Sequence, residues 1–203
     1  MAIIDLLSNA HLASGELAAE LGIPSNLLAH HLRVLEEAGL VLRRRSEGGG
    51  RRTYVTRSSA CACDDFIGAG RRARPHKVAF VCSQNSARSQ LAESYWRTIS
   101  DIPVVSGGTH PASRVRPRAV AVGRRHGLDL TAARPRLATD VLNGDELMIA
   151  VCDRAYEDFD SHPLHWSIPD PALAENAEAF EWAYDDITGR ITRLAASFKG
   201  EDS

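Results

Sequence analysis

Two folded units of different class are predicted along this chain of 203 residues. The first, over residues 1–57, is an α+β unit, because short amphipathic segments there lead into a hairpin with a Gly-rich turn. The second, over residues 77–203, is an α/β unit, because apolar strands alternate there with helical segments. Residues 58–76 are rich in small residues and arginine and are interpreted as the linker between them.

The composition limits the class of protein. Hydrophobic residues make up 44% and charged residues 25% of the chain, which is typical of a globular protein. The sequence has no apolar run of about 18 residues and no signal-peptide pattern at its start, so we expect a cytoplasmic protein without a membrane segment. Its 4 cysteines are too few for a disulfide scaffold, and those at motif positions are expected to be catalytic or to bind metal.

The first unit follows a helix-turn-helix order. Helices are predicted over residues 2–9, from Ser14 to Gly22 and from Ser25 to Gly39, with Ser14 and Ser25 as N-caps. Two strands flank the turn at residues 48–50. The apolar stripe of the third helix is predicted to be Leu28, His31, Leu32 and Leu35. A hairpin with basic flanks after such helices predicts a winged helix-turn-helix.

Two segments of this unit, Leu17-Ala-Ala-Glu-Leu-Gly-Ile23 and Leu28-Ala-His-His-Leu-Arg-Val-Leu-Glu-Glu-Ala-Gly-Leu-Val41, resemble the ArsR family of small metal-responsive repressors. The resemblance implies that the third helix enters the major groove of a double-stranded DNA operator. The implied base contacts are Ser25, Asn26, His30 and Arg33. The implied phosphate contacts of the hairpin are Arg44, Arg51 and Arg52. The family's Cys-x-Cys metal motif and long terminal helices are not matched, so a homodimer is expected only with help from the second unit.

Cys61 and Cys63 stand out in the linker. Two thiolates at this spacing can chelate a thiophilic ion such as As(III). The alternatives are an ordinary pair of residues in a flexible segment, or a pair of thiols that resolves a reaction intermediate.

The second unit is predicted to be a doubly wound parallel sheet of four strands with its site at their carboxyl ends. The predicted strands are residues 77–81, 104–107, 147–151 and 166–168. The predicted helices are residues 89–100, 118–126, 137–142 and 177–198.

Cys82 ends the first of these strands, and Arg88 and Ser89 follow after five residues. A loop of this length at the start of a helix can turn successive N–H groups inward and bind a tetrahedral oxyanion. The predicted anion-binding residues are Ser83, Gln84, Asn85, Ser86, Ala87 and Arg88. The same amides and Arg88 favour the thiolate form of Cys82. The alternative interpretation is a buried cysteine beside a helix-capping serine.

The second unit resembles low-molecular-weight tyrosine phosphatases and the arsenate reductases that share their fold. The motifs that carry the resemblance are Cys82-x5-Arg88-Ser89, Ser106-Gly-Gly-Thr-His-Pro111, Gly127-Leu-Asp-Leu130 and Asp170-Pro171. The loop core Asn85-Ser-Ala-Arg-Ser-Gln90 and the strand-end Cys152 favour the reductases, as does the absence of a Tyr pair after Asp170-Pro171.

The reductase resemblance implies a role for each residue of the site. Cys82 is the nucleophile, Asp170 the general acid and Cys152 the second thiol, while Asn85 orients the loop and Ser89 helps to keep Cys82 ionised. The alternative for Cys152 is a small apolar residue at the end of a buried strand. No metal or organic cofactor is implied. Phe159 stands where those enzymes have a third cysteine. An external thiol system such as mycothiol/mycoredoxin, thioredoxin or glutathione, or else the linker cysteines, would then complete the cycle.

The sequence therefore favours an arsenic-resistance protein that joins an ArsR-type regulator to a thiol-dependent arsenate reductase. Its expected partners are arsenate or phosphate, operator DNA and a redoxin. One alternative is a tyrosine phosphatase with a DNA-binding domain. Another is a non-catalytic oxyanion-sensing regulator, which Gln84 keeps open because these loops commonly have Gly at that position.

Overall fold

The computed structural model of the chain describes residues 2–8, 10–58, 73–159, 163–174 and 176–198. The N-terminal unit contains, in order, α1 (Ala2–Leu7), β1 (Leu12–Ala13), α2 (Ser14–Leu21), α3 (Ser25–Glu37), β2 (Val41–Arg45) and β3 (Thr53–Arg57). Its three strands form an antiparallel sheet in the order β1-β3-β2. The helix-turn-helix with a hairpin is present as predicted, and the short β1 is an addition.

The helix starts differ from the prediction in one respect. Ser14 and Ser25 are the first residues of their helices and not N-caps, which are Ala13 and Pro24. The carboxylate of Glu16 accepts a hydrogen bond from the backbone N–H of Ala13 at 2.7 Å and so satisfies the start of α2.

The C-terminal unit is a parallel sheet with helices around it. Its elements are β4 (Val78–Cys82), α4 (Arg88–Ile99), β5 (Val104–Gly108), α5 (Pro117–Arg125), α6 (Ala138–Val141), β6 (Leu147–Ala150), α7 (Asp153–Asp158), β7 (Leu164–His165) and α8 (Ala177–Ser197). The strand order is β5-β4-β6-β7, with every neighbouring pair parallel, which confirms the predicted four-stranded doubly wound sheet.

The fourth strand lies two residues before its predicted position. Pairing with β6 involves Leu164 and His165, and the chain then turns, because the N–H of Ile168 bonds back to the carbonyl of Trp166. Trp166 and Ile168 are buried in the core, which is why their segment looked like a strand. The helix α7 was not predicted.

The main core lies between the sheet and helices α4 and α8. Phe80 of β4 contacts Trp96 and Trp166 with ring centroids 5.9 and 6.0 Å apart. Large apolar side chains that are fully buried in this way each contribute about 1.5–3 kcal/mol. The packing fixes the end of β4, and therefore Cys82, in the sheet.

The two units pack against each other through β3. Tyr54 is fully buried, and its ring contacts those of Tyr156 and His165 at centroid distances of 5.9 and 4.3 Å. The backbone N–H of His11 donates to the carbonyl of His165 at 2.7 Å. This interface brings the hairpin of the first unit to the carboxyl edge of the parallel sheet. No helix in the described ranges is long and apolar enough to cross a membrane.

Candidate active site

Cys82 is the last residue of β4, and the loop after it leads directly into α4. The buried sulfur accepts a hydrogen bond from the backbone N–H of Asn85 at 3.2 Å, and the hydroxyl of Ser89 lies 3.0 Å away. The side-chain amide of Asn85 donates to the Ser89 oxygen, so the Ser89 hydrogen is free to point at the sulfur. Two hydrogen-bond donors are therefore directed at one sulfur.

Asn85 holds the loop in shape. Its φ of 48° is left-handed, a conformation that Asn adopts more readily than most residues. Its side-chain amide donates to Ser106 at 2.8 Å, and its carbonyl accepts from Gln90 and from the backbone of Arg136, both at 2.9 Å. Ser106 in turn donates to Glu93. One buried side chain thus ties the loop to β5, to α4 and to the segment before α6.

The other predicted loop residues differ in their exposure. Ser86 and Ala87 are buried, Ser83 is half-buried and Gln84 is exposed. The side-chain oxygen of Gln84 accepts a hydrogen bond from Arg116 at 3.0 Å. The side chain that replaces the common Gly is therefore directed at a neighbouring arginine at the surface.

Arg88 and Asp170 face each other at the mouth of the loop. Nη1 of the buried Arg88 donates to the carbonyl of Ile168 at 2.7 Å, and Nη2 lies 3.6 Å from the Asp170 carboxylate. Burial opposes the charge of Arg88, but the sulfurs of Cys152 and Cys82 and the nearby carboxylates raise its pKa above the usual value. The guanidinium therefore stays charged and available to an anion.

Cys152 is the N-cap of α7, where its sulfur accepts a hydrogen bond from the backbone N–H of Ala155 at 3.4 Å. The N–H of Val151 donates to the carbonyl of Val81 at 2.8 Å, so Cys152 lies at the same edge of the sheet as Cys82. Burial raises the pKa of the Cys152 thiol to about 11, against the attraction of Arg88. Both thiols are free and buried.

Glu47 was not predicted as a residue of this site. It lies in the hairpin loop between β2 and β3, yet its carboxylate accepts a hydrogen bond from the backbone N–H of Asp170 at 2.7 Å. The same oxygen is 4.0 Å from Nη1 of Arg88. An acidic residue beside a Gly-rich turn is ordinary in a solvated hairpin, so the sequence carries no signal for this contact.

The residues of α3 predicted to contact DNA bases share one exposed surface. These residues are Ser25, Asn26, His30 and Arg33. His31 is exposed as well, so its predicted place in the apolar stripe is wrong: the helix buries Leu28 and Leu32 and turns the His31 ring toward His30.

The three hairpin arginines have different surroundings. Arg51 is exposed at the turn, and Arg52 lies 3.8 Å from the carboxylate of Glu16. Arg44 instead turns toward the C-terminal unit, where it donates to the carbonyl of Ser167 at 3.5 Å. In this arrangement Arg44 does not present its charge to a DNA backbone.

No metal site is formed by the part of the chain that the structure describes, where no group of three or more His, Cys, Asp or Glu residues is placed to hold an ion. The predicted As(III) ligands Cys61 and Cys63 lie outside the described residues.

Known proteins match the two units separately. Residues 77–203 match the low molecular weight phosphotyrosine protein phosphatase family, and residues 1–44 match a helix-turn-helix domain. The arsenate reductase of Bacillus licheniformis is 32% identical over 130 residues, which are 58% of this chain and 94% of that protein.

Solved structures agree with this match. The arsenate reductase from Archaeoglobus fulgidus has 25% sequence identity and a TM-score of 0.52, covering 59% of this chain and 98% of that one. An arsenate reductase in the phosphate-binding state has 26% identity and a TM-score of 0.52, covering 61% and 98%. Both predicted resemblances are therefore confirmed. The chain belongs to the low molecular weight phosphotyrosine protein phosphatase family, with a helix-turn-helix domain preceding the domain of that family.

Proposed function

We propose that the protein is a thiol-dependent arsenate reductase joined to an ArsR-type DNA-binding regulator. The observation that carries the proposal is the second thiol: Cys82 and Cys152 lie at the carboxyl ends of neighbouring parallel strands, where the N–H of Val151 bonds the carbonyl of Val81 at 2.8 Å, so both cysteines lie at the same edge of the sheet. Hydrolysis of a phosphate ester uses one thiol, whereas reduction of arsenate to arsenite takes two electrons, which two thiols can supply. The kinship with arsenate reductases supports the same chemistry.

In the first step the loop amides and Arg88 bind arsenate. The Cys82 thiolate attacks arsenic, so an S–As bond forms. An As–O bond breaks, and Asp170 supplies a proton to the oxygen that leaves as water. The Asp170 carboxyl is suited to this role because it lies at the mouth of the loop, 3.6 Å from Arg88, and its side chain remains partly exposed.

In the second step a thiol opens the adduct, and the geometry favours Cys152. Burial and the negative charge of Cys82 both raise the pKa of Cys152, while Arg88 lowers it. Attack by Cys152 requires loss of its thiol proton, and the neighbouring Arg88 is the group that favours its charged form. Attack on the Cys82 sulfur forms an S–S bond, and the S–As bond breaks with its electron pair on arsenic, which leaves as As(III).

Turnover then requires reduction of the Cys82–Cys152 disulfide by an outside thiol. Thioredoxin, glutathione/glutaredoxin and mycothiol/mycoredoxin each have the necessary chemistry, and all act in a reducing cytoplasm, where we expect this protein to work. These steps use no metal or organic cofactor.

The regulatory half of the proposal rests on α3. Its exposed polar surface would enter the major groove, and the exposed Arg51 of the hairpin would contact the phosphate backbone. A palindromic operator would be bound by a homodimer, since each copy supplies one recognition helix.

The test is arsenite production by the purified full-length chain with each of the three thiol systems in parallel. We expect turnover with one system, none with Cys82→Ser, and a single stoichiometric round or less with Cys152→Ser. Absence of arsenite with every system, together with hydrolysis of p-nitrophenyl phosphate, would assign the protein to the phosphatases. Phosphate binding without turnover in either assay would assign it to the oxyanion sensors.

A further inference from the structure

The tip of the N-terminal hairpin reaches the oxyanion site. One carboxylate oxygen of Glu47 accepts a hydrogen bond from the backbone N–H of Asp170 at 2.7 Å and lies 4.0 Å from Nη1 of Arg88. A backbone amide and a guanidinium are the groups that bind an oxyanion in sites of this kind. The Glu47 carboxylate thus makes contacts that a bound oxyanion would also seek.

Further contacts hold the hairpin tip in this position. The backbone N–H of Glu47 donates to Asp153 at 2.8 Å. Glu157 accepts hydrogen bonds from Ser46 at 2.5 Å and from the buried Tyr54 at 3.1 Å. A Cβ added to Gly48 would lie 2.5 Å from the Glu157 carboxylate and 3.1 Å from Cα of Arg154, so the turn lies close against α7. The hairpin tip therefore packs on α7 through specific hydrogen bonds.

Arg44, one of the hairpin arginines predicted to contact DNA phosphates, also contacts the C-terminal unit. The guanidinium of Arg44 lies 5.8 Å from the ring centroid of Trp182 in α8 and bonds the carbonyl of Ser167. A cation over an indole ring is an attractive contact. Docking of the hairpin thus removes Arg44 from DNA and places Glu47 at Arg88.

We propose that the hairpin is a gate on the oxyanion site, so that binding of a tetrahedral oxyanion at the Cys82 loop and docking of the hairpin through Glu47 compete. This inference rests on the proposed oxyanion site. Arg88 already faces the carboxylates of Asp170 and Glu47, and a multiply charged anion placed beside them is repelled. Because the two events are thermodynamically linked, docking of the hairpin lowers the affinity of the site for the anion. Binding of the anion disfavours docking by the same factor.

The first measurement is the calorimetric Kd of inorganic phosphate for the full-length protein. Phosphate is used because it binds without redox chemistry, so the result is independent of arsenate turnover. We expect the Kd to fall about tenfold in Glu47→Gln, which corresponds to about 1.4 kcal/mol. The matched control is Glu37→Gln, which removes an exposed carboxylate of the same unit that pairs with Arg33. Its Kd should equal that of the wild type.

The second measurement follows the hairpin itself through Trp182. Phosphate should change the fluorescence of the wild type with the midpoint found by calorimetry, because Arg44 leaves the indole ring. Trp182→Phe should abolish that change, which separates it from signals of Trp96 and Trp166.

Each remaining outcome overturns the inference. An equal or weaker Kd in Glu47→Gln would make Glu47 a support of the Asp170 loop and not a gate. A tighter Kd without a Trp182 signal would show that the hairpin stays docked when the anion binds. No phosphate binding by any variant would also reject the gate, and arsenite production in the separate assay would then decide whether the reductase proposal stands without it.

Discussion

The imidazole of His11 makes the interface between the two units sensitive to acid. It is 3% exposed, and its Nδ1 accepts a hydrogen bond from the backbone N–H of Ser167 at 2.8 Å. Nε2 therefore carries the hydrogen and donates to Thr56 at 2.8 Å. A second proton would have to go on Nδ1, where it would face another N–H. Burial and the nearby charges of Arg190, His165 and Arg44 lower the pKa of His11 well below its usual value of 6.5.

The sign and size of the effect follow from this shift. Between the folded pKa and about 6.5, the unfolded chain binds a proton at this histidine and the folded chain does not, so stability falls as the pH drops. The loss at about pH 5.5 is on the order of 1 kcal/mol, and at about pH 7.5 it is close to zero.

The perturbation is His11→Asn, because Asn can still accept from Ser167 but does not titrate. Urea unfolding at about pH 7.5 should show the variant less stable than the wild type. At about pH 5.5 this difference in unfolding free energy should shrink by on the order of 1 kcal/mol. Thr56→Val is the control: it removes the Nε2 partner but keeps the imidazole, so its pH dependence should follow the wild type. If the free energies of unfolding of His11→Asn and wild type differ by the same amount at both pH values, the reasoning is refuted.

Three further predictions concern the loop. Asn85→Ala should lower the free energy of unfolding by about 3 kcal/mol, measured by denaturation. The reason is that it leaves several buried groups without a hydrogen-bond partner and strains a residue with left-handed φ. A loss below about 1 kcal/mol would contradict the role of Asn85 in holding the loop. Gly108→Ala should weaken phosphate binding at least about tenfold in calorimetry, because its Cβ would lie 2.9 Å from the backbone of both Asn85 and Ser83. The control is Gly15→Ala, whose Cβ would meet open space, so this variant should bind phosphate as the wild type does. Asp170→Asn should slow adduct formation about 100-fold in single-turnover experiments and leave phosphate affinity at or above that of the wild type, so an unchanged rate would remove its role as an acid.

The sheet could be predicted from the sequence because its central strands are buried on both sides. Val78–Cys82 and Leu147–Ala150 are continuous apolar runs, which is typical of parallel strands between layers of helices. The two-residue strands Leu12–Ala13 and Leu164–His165 are too short to show any period. Their pairing depends on neighbouring strands, so the sequence did not predict Leu12–Ala13 and placed the other strand two residues too late.

The candidate site was predictable to the extent that its parts are close in sequence. Cys82, Asn85 and Arg88 belong to one strand–loop–helix turn, whose spacing determines the geometry. Glu47 and His11 reach the same region only through packing of the two units. No hydrophobic periodicity within either unit encodes that packing, so local sequence patterns do not predict Glu47 and His11 as residues of this region.

The helix α7 joins the chemistry of the site to the position of the hairpin. Cys152 caps its N-terminus, and Asp153 and Glu157 on the same helix hold the hairpin tip. Both thiols are free here, so a Cys82–Cys152 disulfide requires the sulfurs to approach to about 2.05 Å. Hydrogen bonds from three sides brace the Cys82 loop through Asn85, and Cys152 is held at the N-terminus of the six-residue α7. The second thiol of the site and the two carboxylates that hold the hairpin tip therefore belong to one short segment, so the packing of α7 positions both together.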